Sequence, residues 1–169
     1  MRELPVPLHS DGYYRQIADA AIKQASIEEP PVPLEQIGER LGIPVRFVNL
    51  PSFFGGAIIS EDGMPVALVN MARDEDERRR TLAHLLGHVL VVLADPTGSY
   101  PRLNSADHRE ADVTARELLL PEHLVRDQAR KWFNDHRYLA RLFGVSENEM
   151  TARMRELGII KARGVLWDY

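Results

Sequence analysis

Two histidines, His84 and His88, stand four positions apart in the stretch TLAHLLGH. On an α-helix that spacing puts both side chains on one face, one turn apart. Two imidazole nitrogens so placed can converge on one ion, and zinc takes histidine nitrogens at roughly 2.0–2.1 Å in tetrahedral geometry. A catalytic zinc site adds a third protein ligand and keeps one position open. Zinc hydrolases built on this spacing carry a glutamate directly after the first histidine; here that residue is Leu85. The chain holds six histidines, so a chance pair at this spacing is an ordinary event. Against chance stands burial: an imidazole left without a partner costs about 1–3 kcal/mol, and a metal removes that cost.

No histidine follows at the spacing of the long His-x-x-x-His-x-x-Gly-x-x-His pattern. The alternative third ligand is a carboxylate from the next segment, HREADVTARELLLP. Glu110 serves if that segment is a helix packed closely on the first, and the small residues Ala111 and Ala115 permit such an approach. Asp107, Asp112 and Glu117 compete with it, because spacing alone does not choose among them.

The rest of the composition narrows the chemistry. There is no cysteine, so any zinc is held by His, Asp or Glu. The 169 residues suit one domain with a small appendage, and 44% apolar with 27% charged residues describe a globular chain. A net charge of -4 gives no overall basic footprint for nucleic acid. The N-terminus lacks the apolar core of a signal peptide, and the run VLVVLA is far too short to span a bilayer. The expected location is the cytoplasm, with no membrane partner.

Elements must place these residues. Tyr14, Ile17, Ala21 and Ile22 repeat at helical spacing after Ser10 or Asp11, and EPPVP then breaks the chain. LEQIGERLGIP is a short second helix closed by Gly42. PVRFVNL alternates as a strand, and Gly56–Ser60 with Pro65–Asn70 form a hairpin around EDGM. These strands predict a small antiparallel sheet. The acidic run Asp74–Glu77 opens a long helix, apolar nearly all round from Leu82 to Leu93 and so deeply buried. DPTGSYPRLNS is a loop, and a helix follows that ends before Pro121. Short helices are expected near 124–133, 137–143 and 146–157, and IIKARGVLWDY forms a last strand or a surface segment.

Three blocks resemble the ImmA/IrrE family of metallopeptidases, zincin-type proteins of bacteria and their mobile elements. GGAIISEDGMPVALVN resembles the family's hairpin, RRRTLAHLLGH its active-site helix, and EADVTARELLLP its next helix, whose usual form is Glu-Ala-Asn-x-x-Ala-x-x-Leu-Leu-x-Pro. The likeness runs from about Gln16 to Gly158. It implies an α+β, zincin-like metallopeptidase fold with a Zn2+ cofactor on His84, His88 and Glu110. It also implies that an extended peptide lies along the strand at Gly55–Ser60, against Gly56, Ala57, Ile58 and Ile59. Asp112 stands where the family has Asn, in a position to orient a ligand histidine through its other N–H. The implied partner is a protein or peptide target, a transcriptional repressor in the family's usual role of switching on stress or mobile-element genes.

Leu85 is the departure. The family's glutamate takes a proton from the attacking water and passes it to the leaving amine. Leucine holds no proton, and acid–base help contributes about 10²–10⁴-fold, so peptidase activity is expected to be absent or strongly reduced. No substitute base is evident. His108, two residues from Glu110, points elsewhere on a helix, and Tyr100 is a poor base near neutral pH. A non-catalytic module that binds a peptide is the alternative.

The segment YLARLFGVSENEMTARMRELGII resembles a helix-turn-helix, with Ala140 and Gly144 at its small positions. DNA contact would begin at Glu147, Asn148 and Glu149, where carboxylates repel phosphate, and Arg141, Arg153 and Arg155 offset this only in part. Packing through Leu139, Phe143, Met150 and Met154 is the expected role. Residues 1–130 are thus read as a metal-binding domain and 131–169 as a helical segment packed on it.

Overall fold

The EDGM turn and the alternating residues around it build the sheet on which the histidine helix rests. The computed structural model describes residues 11–94 and 105–161, with the side chains of 105–108 excepted. Strands β1 (Val45–Val48), β2 (Gly56–Glu61) and β3 (Met64–Asn70) form one sheet in the order β1-β3-β2. Asp62 and Gly63 take φ of 51° and 80°, the left-handed pair that a two-residue hairpin turn needs. β2 pairs antiparallel with β3, as the hairpin requires. β1, however, runs parallel to β3, with Val45 opposite Ala67, so the sheet is mixed rather than wholly antiparallel.

Buried Asn70 explains the route. Its amide donates to the carbonyls of Leu50 at 3.2 Å and Phe54 at 2.9 Å, and its Oδ1 accepts from the Ala72 N–H at 3.1 Å. The connection after β1 is thereby tied to the end of β3. The chain re-enters as β2 on the far side of β3, which leaves β2 as an edge strand.

Helix α1 (Asp11–Gln24) buries Tyr14, Ala18 and Ile22, and α2 (Leu34–Arg40) buries Leu34 and Ile37 before Gly42 turns the chain at φ 74°. Helix α3 (Glu75–Ala94) starts where the Asp74 carboxylate accepts the Glu77 N–H at 2.8 Å, with three acidic residues in its first turn. Its burial holds through Leu90 but not to Leu93, which is 64% exposed. A twenty-residue helix is about 30 Å long. The longest strand, of seven residues, spans about 23 Å.

Helix α4 (Ser105–Leu119) packs along α3, and α5 (Glu122–Lys131) follows Pro121. Helices α6 (His136–Phe143) and α7 (Glu147–Glu156) are joined through Gly144 at φ 69° and a Ser146–Glu149 capping box. Leu139, Phe143, Met150 and Met154 are all fully buried and belong to the same apolar cluster as Leu82, Leu86 and Leu118. No helix among the described residues is long and apolar enough to cross a membrane. The expected final strand falls mainly on residues 162–169, and the expected loop on 95–104; both lie outside the described residues, as does Tyr100.

Candidate metal centre

His84 and His88 project from α3 with their Nε2 atoms 3.0 Å apart and their rings nearly perpendicular. Two donors on a tetrahedral zinc at the usual bond length stand about 3.3 Å apart. The pair therefore already has close to the bite that a shared ion requires. On the other side of the His84 ring, Nδ1 lies 2.8 Å from an Asp112 carboxylate oxygen. A carboxylate in that place can accept an Nδ1–H from His84, the arrangement by which an outer partner orients a metal-binding histidine.

Glycine at position 87 sets the distance between the helices. A Cβ placed on Gly87 would sit 2.5 Å from the Ala111 carbonyl oxygen and 3.3 Å from the Ala115 nitrogen. Any side chain here would push α4 away. Glycine in a helix costs about 1 kcal/mol relative to alanine, so one lodged between two histidines was itself a signal of close backbone approach, and sequence reasoning passed over it.

The candidate carboxylates of α4 separate. Asp112 joins His84. Glu117 is buried and bound to Arg153, far from the pair in role: its carboxylate also accepts the Glu122 N–H at 2.9 Å. Burial raises the Glu117 carboxyl and the neighbouring guanidinium counters this only partly. Glu110 is half-buried, and no set of three His, Asp or Glu side chains gathers for a metal among the described residues. The side chains of Asp107 and His108 lie outside the described residues.

Leu85 is 8% exposed and turns toward the sheet, where its Cδ1 comes within 3.3 Å of the place a Gly56 Cβ would occupy. The position that a general base would hold is thus an apolar seam between α3 and the edge strand. Gly56, Ala57 and Ile58 are half-buried and Ile59 is 38% exposed along that strand. Two cavities open along α3, the larger of them at His84. One of ≈ 580 Å³ is lined by His84, Asp112, Ala115, Leu119, Val145 and Glu149, among others, between α3, α4 and α7. A smaller one of ≈ 230 Å³ is lined by Gly55, Arg73, Glu77, Arg80 and Thr81.

A mixed sheet with a free edge, a paired-histidine helix laid against it and a second helix packed along that one make up a zincin-like α+β protein. Residues 38–155 match the family model Peptidase_M78, IrrE N-terminal-like domain, and the chain belongs to this family. No curated protein matches it. Among solved structures it is similar to a Mycobacterium tuberculosis transcriptional regulator, with a TM-score of 0.64 and 20% identity. The match covers 85% of this chain and 46% of that one, so the chain spans less than half the length of this neighbour.

Proposed function

We propose that this protein binds zinc through His84, His88 and a third donor from α4, and that it recognises a protein or peptide target with cleavage absent or severely slowed. The observation that carries this reading is the converged His84–His88 pair, backed by Asp112, with Leu85 between them in sequence. The donor set suits zinc, since neutral imidazoles with a carboxylate behind one of them are common zinc ligands. Zinc in that place would act as a Lewis acid on a carbonyl and lower the pKa of water. Asp112 can accept an N–H of the His84 ring, and Leu85 offers no atom to accept a proton. The edge strand β2 can take an extended peptide by main-chain pairing.

Family membership and the solved neighbour, itself a transcriptional regulator, support a role in regulation; a repressor as the target is carried over from the family resemblance alone. Reading of DNA by α7 has little support. Arg153 is 1% exposed and spends its guanidinium on Glu117, Glu156 and the Leu120 carbonyl, while Glu149 caps α7 and pairs with Arg80 at 3.0 Å.

Metal analysis of the purified protein, paired with a peptidase assay of the wild type and Leu85→Glu, tests the reading. About one zinc per chain and cleavage only in the variant are expected. Robust cleavage by the wild type would overturn the missing-base argument, and protein without stoichiometric metal would overturn the site.

A further inference from the structure

Helix α7 is tied to both α3 and α4 by ion pairs. Arg80 of α3 meets Glu149 at 3.0 Å, and Arg116 of α4 meets Glu156 at 3.3 Å. Along α7 these two glutamates stand about two turns, or about 10.5 Å, apart. The two arginines are therefore held on opposite walls. Between them lies the cavity of ≈ 580 Å³ that opens at His84. Its floor is apolar: Leu119, Leu120 and Val145 are buried there, and the small side chains of Ala115 and Ala152 leave the space unfilled. Small-molecule sites occupy about 300–1,000 Å³, and this cavity falls within that range.

The hydrogen-bonding capacity left at the two walls is of one kind. Glu149 spends one carboxylate oxygen on Arg80 and the other on the Ser146 N–H. Glu156 accepts from Arg15, Arg116 and Arg153. Arg153 is itself spent, on Glu117, Glu156 and the Leu120 carbonyl. Arg80 and Arg116 differ. Among the described residues each gives one terminal nitrogen to its glutamate, whereas a guanidinium carries five N–H donors. Both side chains are about half exposed. The remaining carboxylate of the lining, Asp112, contacts the His84 ring, one helical turn from Arg116. Donors thus stand fixed on both walls, with hydrocarbon between them.

We propose that this cavity binds a ligand with an apolar body and a carboxylate at each end, one on Arg80 and one on Arg116. The planar carboxylate matches the fork of a guanidinium, and the body displaces water from Leu119, Leu120 and Val145. Glu149 and Glu156 hold both forks in place before the ligand arrives, which lowers the cost of ordering them. Two sources carry this chemistry: a free aliphatic diacid, and a peptide tail with an acidic residue shortly before an apolar C-terminal one. The ligand needs no metal, so this site and the zinc site stand or fall separately.

Titration of the metal-free full chain with octanedioate, followed by amide proton–nitrogen correlation spectra, tests the site. A ligand of this size should saturate with a Kd of about 1 mM and shift the amides of Ala115, Val145 and Ala152. Octanoate should bind about tenfold more weakly, one charge-assisted contact having gone, and the matching octanediol more weakly still. Arg80→Gln and Arg116→Gln should each bring the diacid down to the level of octanoate. Ala152→Leu fills the cavity without touching either arginine, and should abolish binding while the thermal midpoint holds. Equal affinity for diol and diacid, or shifts confined to other surfaces, would overturn the proposal. A peptide ending in Asp-Gly-Leu that binds more tightly than the diacid names a protein tail as the occupant, and the reverse order names a free diacid.

Discussion

Gly87 and Ala111 touch backbone to backbone: a single added carbon on Gly87 would come within 2.5 Å of the Ala111 carbonyl oxygen. That contact fixes the separation of α3 and α4, and with it the reach of every α4 side chain toward His84 and His88. Gly87→Ala gains about 0.8–1.0 kcal/mol of helix propensity yet must displace rigid backbone. We expect a net loss of about 1–3 kcal/mol in urea unfolding, together with weaker zinc binding. An alanine variant as stable as the wild type would show that the helices can part freely.

Asp112 is the separable part of the site. Its side chain is 61% exposed, so its removal should change the stability of the metal-free protein by no more than about 0.5 kcal/mol. Its contact with the His84 ring is a different matter. Asp112→Ala should weaken zinc binding about 10–100-fold, measured by competition with a chromophoric chelator. Unaltered affinity would reduce the Asp112–His84 contact to a surface pairing.

Arg153 and Glu117 form a buried pair, 1% and 4% exposed at their side chains. Arg153→Met leaves Glu117 without its counter-charge in the core and should cost about 3–5 kcal/mol in equilibrium denaturation. Adding Glu117→Leu should recover most of that loss, because an apolar pair is often as stable as a buried ionic one. A mild single variant would mean that water reaches the carboxylate.

Glu156 gives the fold an acid-sensitive tie. Burial alone would raise its carboxyl, but Arg153, Arg116 and Arg15 together hold it below the usual carboxylate range. A depressed folded value contributes stability above the unfolded glutamate value of about 4.3. That contribution is lost as pH falls from there through the folded value. Denaturation of the wild type and Glu156→Gln at pH 7 and near pH 3 should therefore show a gap between them that narrows in acid. A gap independent of pH would assign the effect to packing instead.

Much of this was legible in local signals. Asp74, the EDGM turn, Gly42 and the Ser146–Glu149 spacing mark element ends through chemistry confined to a few residues, and the helices and hairpin begin and end near them. The parallel course of β1 was not legible, because it depends on Asn70 binding carbonyls 16 to 20 positions away. Arg153 has a similar history: its place in the sequence suits an exposed arginine of a DNA-reading helix, but the Leu120 carbonyl at the end of α4 takes its Nε–H at 3.0 Å. The α4 side of the site was ambiguous for a geometric reason. Several carboxylates stand within a few positions of one another on α4, and only the folded contact of Asp112 with His84 at 2.8 Å singles one of them out.

The ties of α1 also set a timetable for synthesis. Arg15 pairs with Glu156, 141 positions later, and α1 rests mainly on α4. At about 5–20 residues per second, roughly 7 to 28 s separate the making of these two residues. For most of that interval, until α4 is made, Tyr14, Ala18 and Ile22 lack the main surface that covers them. The first helix emerges early and docks late, which makes its apolar face the stretch of the nascent chain most in need of shelter.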